Sequence, residues 1–298
     1  MIRASLVYEK ARLLLNHSAS SELLLGAEAL TVYESADKVK VHLADGRVLT
    51  SPWVIDTRPQ SRVLAPPWLW QNFVGFVIKL DGLGEGIDGL PTLMEFQSPV
   101  ESVAQFMYTI PFGKRMTLCE CTRFSKVVGE VHLLEAELAH WLTGRFDDRW
   151  TLQRRESGSL PMAPPIPTAH RRVIDAGTRG GSMRISTGYA FLRIQRWADA
   201  CAQSFLRDGV PLSPAKNRLL DMMDELFLRV LQEPSTSAAD IFGVLFKSCP
   251  TDSLVRFLSG VPRSSDLWPV ARCLPWGKFL RQTPKLAAWS PGITERPV

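Results

Sequence analysis

The sequence predicts a mixed α and β fold in which a sheet-rich first part gives way to a helical C-terminal part. Three observations carry this. Short β-branched or alternating runs recur from Ala29 to Phe124, separated by turn residues. Apolar residues at Phe191, Ile194, Ala198, Cys201 and Phe205 keep the 3-4 spacing of one helical face. From about Leu212 onward every apolar pattern is helical.

Taken in order, "MIRASLVYEKARLLLNHSAS" reads as an amphipathic helix. Glu9, Lys10 and Arg12 interrupt its apolar residues, so it lacks the continuous core of a signal peptide. "ALTVYES", "KVKVHL" and "RVLTSPWVIDT" follow as three strands, with "ADGR" as the tight turn between the second and third. Alternation is lost from Leu49 to Ile55, which suits a strand buried on both faces. "QNFVGFVIKL", "TLMEFQ", "AQFMYTIPF" and "RMTLCECTRF" are further strands. "GEVHLLEAELAHWLTGRF" is a helix with its stripe at Val131, Leu134, Leu138, Trp141 and Leu142, and "SLPMAPPIPTAHRR" is a proline-rich connection. The glycine-rich loop from Gly177 leads into the helix at Phe191. Ser213 and Pro214 then suit the N-cap and first turn of a helix that Pro234 stops, and shorter helices follow over Ala238–Lys247, Asp252–Leu258 and Leu267–Leu280. The domain boundaries that this implies are 1–60, 61–165, 166–210 and 211–298.

Composition narrows the function classes. The net charge of +5 comes from 35 basic residues scattered among 30 acidic ones, without the dense basic run and interleaved aromatics of a nucleic-acid surface. Five cysteines, unevenly spaced, do not make a disulfide framework and point to a reducing, cytoplasmic setting. Cys119 and Cys121 share a strand face, but no second pair and no suitably spaced histidine completes a metal site. Gly84 to Gly89 matches G-x-G-x-x-G letter for letter, yet Pro91 stands where a helix would begin, so it reads as a loop between strands.

Glycine-rich loops ahead of helices often hold phosphate, because free backbone N–H groups and the helix dipole point at the anion. This one lies past the middle of the chain. Together with the meander that ends in "VIDTRP", that position suits a discontinuous nucleotide domain, as in flavoproteins built like glutathione reductase.

The blocks "VIDTRP", "WQNFVGFVIKL", "PTLMEF", "FMYTIPF", "LCECT", "ESGSLPM" and "GGSMRISTGYAFLRIQRWAD" resemble, in that order, the successive blocks of flavin-dependent lycopene cyclases. The resemblance runs from about Val32 to at least Leu258. It implies an α/β (mixed α+β) chain, a partial glutathione-reductase-type FAD-binding fold with an inserted β-sheet substrate region and a helical C-terminal part. It further implies FAD, reduced by NADPH, and an isomerase that closes the acyclic ends of lycopene into ionone rings by acid-base chemistry.

On the same resemblance Glu120 is the acid of the family's carboxylate block, with Cys121 where a second acid is usual, and Glu95 is a second candidate acid. The alternative for Glu120 is a paired strand residue. Asp56 and Arg58 match a D-x-R after the returning strand. Gly177, Gly180 and Gly181 belong to the loop whose glycines let backbone approach the flavin, and Thr187, Gly188 and Tyr189 match the family's T-G-Y. The family's opening strand, glycine-rich turn and helix have no counterpart before Val32, so an N-terminally shortened member with exposed apolar surface is expected. The competing readings are a non-catalytic remnant of cyclase ancestry and an FAD-dependent monooxygenase. Trp268, Trp276 and Trp289 beside Arg272, Lys278, Arg281 and Lys285 suit peripheral attachment to the inner face of a membrane.

Overall fold

The computed structural model describes residues 4–81, 90–96, 103–112 and 115–286. The decoy Gly84–Gly89 and Trp289 lie outside them. The chain divides into two compact units, residues 1–56 with 167–175 and residues 57–166 with 176–298.

In the first unit, α1 (Ala4–Asn16) is the amphipathic N-terminal helix, and it buries none of its residues. β1 (Ala29–Glu34), β2 (Val39–Leu43) and β3 (Val48–Ser51) form an antiparallel meander in that order. Its second turn uses Gly46 at φ 87°, and Asp45 accepts from the Arg47 backbone and side chain at 3.0 and 2.8 Å. The run expected as one strand is two. Pro52 cannot donate to a ladder, and β4 (Val54–Asp56) leaves the meander for a separate sheet. Nor is the run buried on both faces, for Leu49 and Ile55 are exposed.

The second unit is built on a five-stranded antiparallel sheet. It comprises β5 (Leu69–Leu80), β6 (Thr92–Phe96), β7 (Ala104–Pro111), β8 (Met116–Ser125) and β9 (Trp150–Met162), in the spatial order β6-β7-β8-β5-β9. Side chains alternate between its faces. On one face Val74, Phe76, Ile78, Leu80, Met107, Cys119 and Cys121 pack under α2 (Val131–Phe146), which buries Leu134, Leu138 and Leu142 completely. Each of those leucines contributes about 1.5–3 kcal/mol of apolar burial. Arg123 fastens the helix to the same face through Gln105 at 2.7 Å and Glu137 at 2.5 Å. The other face carries Leu69, Ala104, Phe106, Phe124 and Met162.

The proline-rich stretch yields a correction. Its beginning, Ser159 to Met162, is the end of β9, a strand that alternation does not disclose. β9 is an edge strand whose burial rises only toward Met162, so polar residues, Gly158 and Pro161 are all tolerated there.

β10 (Val173–Asp175) returns the chain to the first unit and pairs in parallel with β4, residue for residue. Both segments read Val-Ile-Asp. In the second unit α3 (Phe191–Asp208) follows the glycine-rich loop, and of its predicted stripe Cys201 is buried whereas Phe191 and Phe205 are exposed. α4 (Arg218–Leu231) is capped by Asn217, which accepts from Leu220 N at 3.1 Å, rather than by Ser213. α5 (Ala238–Ser248), α6 (Thr251–Leu258), α7 (Ser264–Arg272) and α8 (Trp276–Leu286) complete the chain. The last two replace one expected helix, which breaks before Pro275. α4, α5 and α8 supply Leu228, Leu231, Ile241, Phe242 and Phe279 to the core on the sheet's second face.

Candidate active site

The second face of the sheet holds one buried carboxyl. Glu120 on β8 is 5% exposed and stands opposite Tyr108 on β7 and Gly75 on β5. The Thr122 hydroxyl donates to its Oε1 at 2.9 Å, and the Tyr108 hydroxyl donates to it as well. Burial pushes the Glu120 carboxyl up to about 7, against these two hydrogen bonds, and the charge of Glu156 pushes the same way. Burial also raises the Tyr108 hydroxyl, so it stays a donor.

Gly75 makes room for this group. A Cβ there would stand 3.3 Å from Glu120 Oε2 and 3.0 Å from the Cγ of Glu156, its partner on β9. Gly158 serves its neighbours likewise, since a Cβ would meet the Phe73 ring at 2.8 Å.

The two remaining members of the expected acid set lie elsewhere. Cys121 follows Glu120 on a strand and therefore points to the opposite face, where burial pushes its thiol up to about 12. Its side chain does not share a sheet face with the acid. Glu95 pairs with Met107 and also faces α2, where it accepts from Trp141 Nε1 at 3.1 Å and pairs with Arg145 at 3.6 Å. The structure does not bring Glu95 and Glu120 together. The carboxyl that it does bring beside Glu120 is Glu156, across Gly75, and sequence reading missed this pairing. The signal was present in "ESGSLPM", but the strand carrying it was not legible.

The glycine-rich loop is held by a buried ion pair. Arg184, fully buried, donates to Asp224 of α4 through Nε at 2.8 Å and Nη2 at 2.5 Å, and to Phe257 O of α6. Ser186 Oγ donates to the same carboxylate at 2.8 Å. The loop backbone closes on itself, with Arg184 N donating to Tyr189 O and Gly188 N to Arg184 O, both at 2.9 Å. Gly188, at φ 74°, brings backbone against Gln71 of β5, where a Cβ would lie 2.5 Å from Oε1. Tyr189 is near enough to Tyr108 for their charges to interact. The T-G-Y segment thus reaches the same face as Glu120.

The other expected cofactor residues are placed as follows. Gly177 and Gly181 have φ 62° and 78°, and Gly181 packs on Pro165. The amides of Gly180, Gly181 and Ser182 donate to Ala176, Thr178 and Gly177 carbonyls at 3.2, 3.1 and 2.9 Å, so they are committed within the loop rather than offered to a phosphate. Asp56 is buried at the end of β4 in the first unit, and Arg58 belongs to the second. What the loop does offer is unmet polar capacity, since Gln71 Oε1 and Ser182 Oγ are buried without a hydrogen-bond partner. Gln71 Oε1 lies against the glycine-thinned backbone at Gly188.

Beyond the loop, a cavity of about 140 Å³ is bounded by Thr187, Leu226, Phe227, Phe257, Val270 and Phe279, among others, with Trp276 on its wall. Among the described residues no group of histidine, cysteine and carboxylate side chains could hold a metal ion, and no helix is long and apolar enough to cross a membrane.

Comparison with solved structures places the fold. The chain is similar to a geranylgeranyl bacteriochlorophyll reductase-like protein from Thermoplasma acidophilum, at 11% identity and a TM-score of 0.59 over 94% of this chain and 74% of that one. It is similar as well to a flavoprotein/dehydrogenase from Cytophaga hutchinsonii, at 11% identity and a TM-score of 0.52 over 94% and 73%. A third likeness is the halogenase PltM in complex with phloroglucinol and FAD, at 10% identity and a TM-score of 0.52 over 95% and 69%. The fold is that of the FAD-dependent oxidoreductases and halogenases, in part. Residues 9–283 match the family model described as lycopene cyclase protein, and the chain belongs to that family. A lycopene beta-cyclase from Pseudescherichia vulneris is 28% identical over 185 residues, 58% of this chain and 46% of that protein, so the match spans about half the length of this relative.

Proposed function

We propose that the protein cyclises the acyclic ends of lycopene to ionone rings, an isomerisation run by acid-base chemistry in carotenoid biosynthesis. The observation that carries the reading is Glu120, a carboxyl buried on the sheet face and kept neutral by that burial, with Tyr108 and Thr122 donating to it. Protonating an alkene requires an acid that is neutral where the substrate binds, and desolvation is the means of keeping it so. Glu120 would donate the proton to the terminal double bond, with the Tyr108 and Thr122 hydroxyls left to stabilise the carboxylate that remains.

Gln71, Ser182, Gly188 and Tyr189 would hold the ring end of FAD. When reduced, with NADPH as the source of electrons, the flavin would supply negative charge that stabilises the cationic transition state. The apolar cavity supports a hydrocarbon ligand. Trp268 and Trp276, both exposed and with ring centroids 6.1 Å apart, support peripheral contact with a membrane that holds such a substrate. Lys278, by contrast, is engaged with Ser235 and Thr236 at 2.5 and 2.7 Å.

Pigment analysis of lycopene-accumulating cells tests the proposal. Cells expressing the chain should accumulate ring-closed carotenoid, and Glu120→Gln should abolish it. Soluble, folded protein with no cyclised pigment would sink the reading.

A further inference from the structure

We propose that Glu156 is the base that takes the proton released by the closing ring, the counterpart of the acid Glu120; this inference rests on the cyclisation reading above. The geometry is a matter of register. Gly75 is flanked by Glu120 on β8 and Glu156 on β9, each directly opposite it, so both carboxyl side chains rise from the same face of the sheet. Glycine puts nothing between them. Both come within 3.3 Å of the point where a Gly75 side chain would begin.

The two carboxyls have opposite surroundings. Glu120 is buried and hydrogen-bonded by hydroxyls, whereas the Glu156 side chain is 36% exposed and its Oε2 accepts from Arg154 Nη2 at 2.7 Å. Arg154 is two residues along the same strand and donates to Glu156. Arg154, Glu120 and Tyr108 are the titratable and charged groups that face Glu156 across the sheet, with Tyr189 reaching Tyr108 from the loop. Arg155, by contrast, turns to the other face and pairs with Glu135 of α2. Two carboxyls in unlike surroundings divide into acid and base.

The proton balance closes. Glu120 gives its proton to the terminal alkene carbon, a C–H bond forms and a tertiary cation remains. The internal double bond supplies the electron pair for the new C–C bond and leaves the positive charge on a ring carbon. A neighbouring C–H bond then breaks, its electrons become the ring double bond, and the proton passes to Glu156. Return of that proton across Gly75 to the Glu120 carboxylate resets the site without net oxidation or reduction.

The test is the pH dependence of cyclisation rate for the whole chain supplied with FAD, NADPH and lycopene in detergent micelles. The wild type should give a bell whose low-pH limb depends on Glu156. Glu156→Gln should cost about 100-fold or more and remove that limb, whereas Glu156→Asp should recover part of the rate and keep it. A Glu156→Gln profile that is scaled down with both limbs intact would overturn the assignment while leaving the cyclase reading in place. A folded wild type that makes no cyclised product would overturn both.

Discussion

Arg184 and Asp224 meet through two parallel hydrogen bonds of 2.8 and 2.5 Å, with neither side chain more than 2% exposed. This pair ties the loop that carries Thr187-Gly188-Tyr189 to α4. Removing one partner leaves a buried charge uncompensated, so Asp224→Ala should cost on the order of 3–5 kcal/mol. The double change Arg184→Met with Asp224→Leu should recover a good part of that loss. Urea unfolding of the variants checks both, and a cost below about 1 kcal/mol for the single change would show that the pair is not closed to water.

Glu120 predicts a pH dependence of stability with a definite sign. Its carboxyl is raised in the folded state from the ordinary range near 4.5 to about 7, so the folded chain binds this proton more tightly than the unfolded one. The contribution is fully present below about 4.5, falls as pH rises to about 7 and is gone above. Its size is on the order of 3 kcal/mol. Glu120→Gln removes the slope in that window and should be more stable than the wild type at pH 8. A variant whose stability runs parallel to the wild type from pH 4 to 8 would contradict the assignment.

Gly75→Ala places a methyl group 3.0 Å from Glu156 Cγ, 3.2 Å from Leu118 Cδ1 and 3.3 Å from Glu120 Oε2. Glu156 is partly exposed and can swing aside, so the thermal midpoint should fall only modestly, for a cost of about 1 kcal/mol. Cyclisation should suffer far more, by tenfold or beyond, because the methyl group separates the two carboxyls.

The cavity in the helical part offers an opposite change. Its volume of about 140 Å³ is close to that of engineered cavities that stay dry and bind small apolar molecules. Ala271→Leu should fill part of it and raise stability by about 1 kcal/mol, read as a higher midpoint in urea. A fall in midpoint would mean that the surrounding helices have already closed on the space.

Much of this could be read from the residues themselves. Alternation placed β5 to β8, and the 3-4 spacing of Leu134, Leu138 and Leu142 placed α2, because those elements are buried on one side or both. β9 escaped because an edge strand needs no alternation, and β10 because three residues are too few for any period. The period of two also contained the fact that Cys121 turns away from Glu120. It could not supply the partner that replaces it, since Glu156 comes beside Gly75 only through the register of a non-adjacent strand. The buried pair of Arg184 and Asp224, 40 positions apart, was beyond local pattern altogether.

The two Val-Ile-Asp strands set the order in which the molecule can be made. β4 leaves the ribosome early, but the strand it pairs with comes later, and Arg172 reaches Pro52 O across 120 positions of chain. Contacts of such separation form late, because the intervening loop must close before they yield anything. All of the five-stranded sheet is synthesised within that interval and can fold as hairpins and a meander while the first unit waits. The small parallel sheet therefore closes after the five strands are made, and a chain stopped short of Asp175 would carry all five of those strands beside an open first unit.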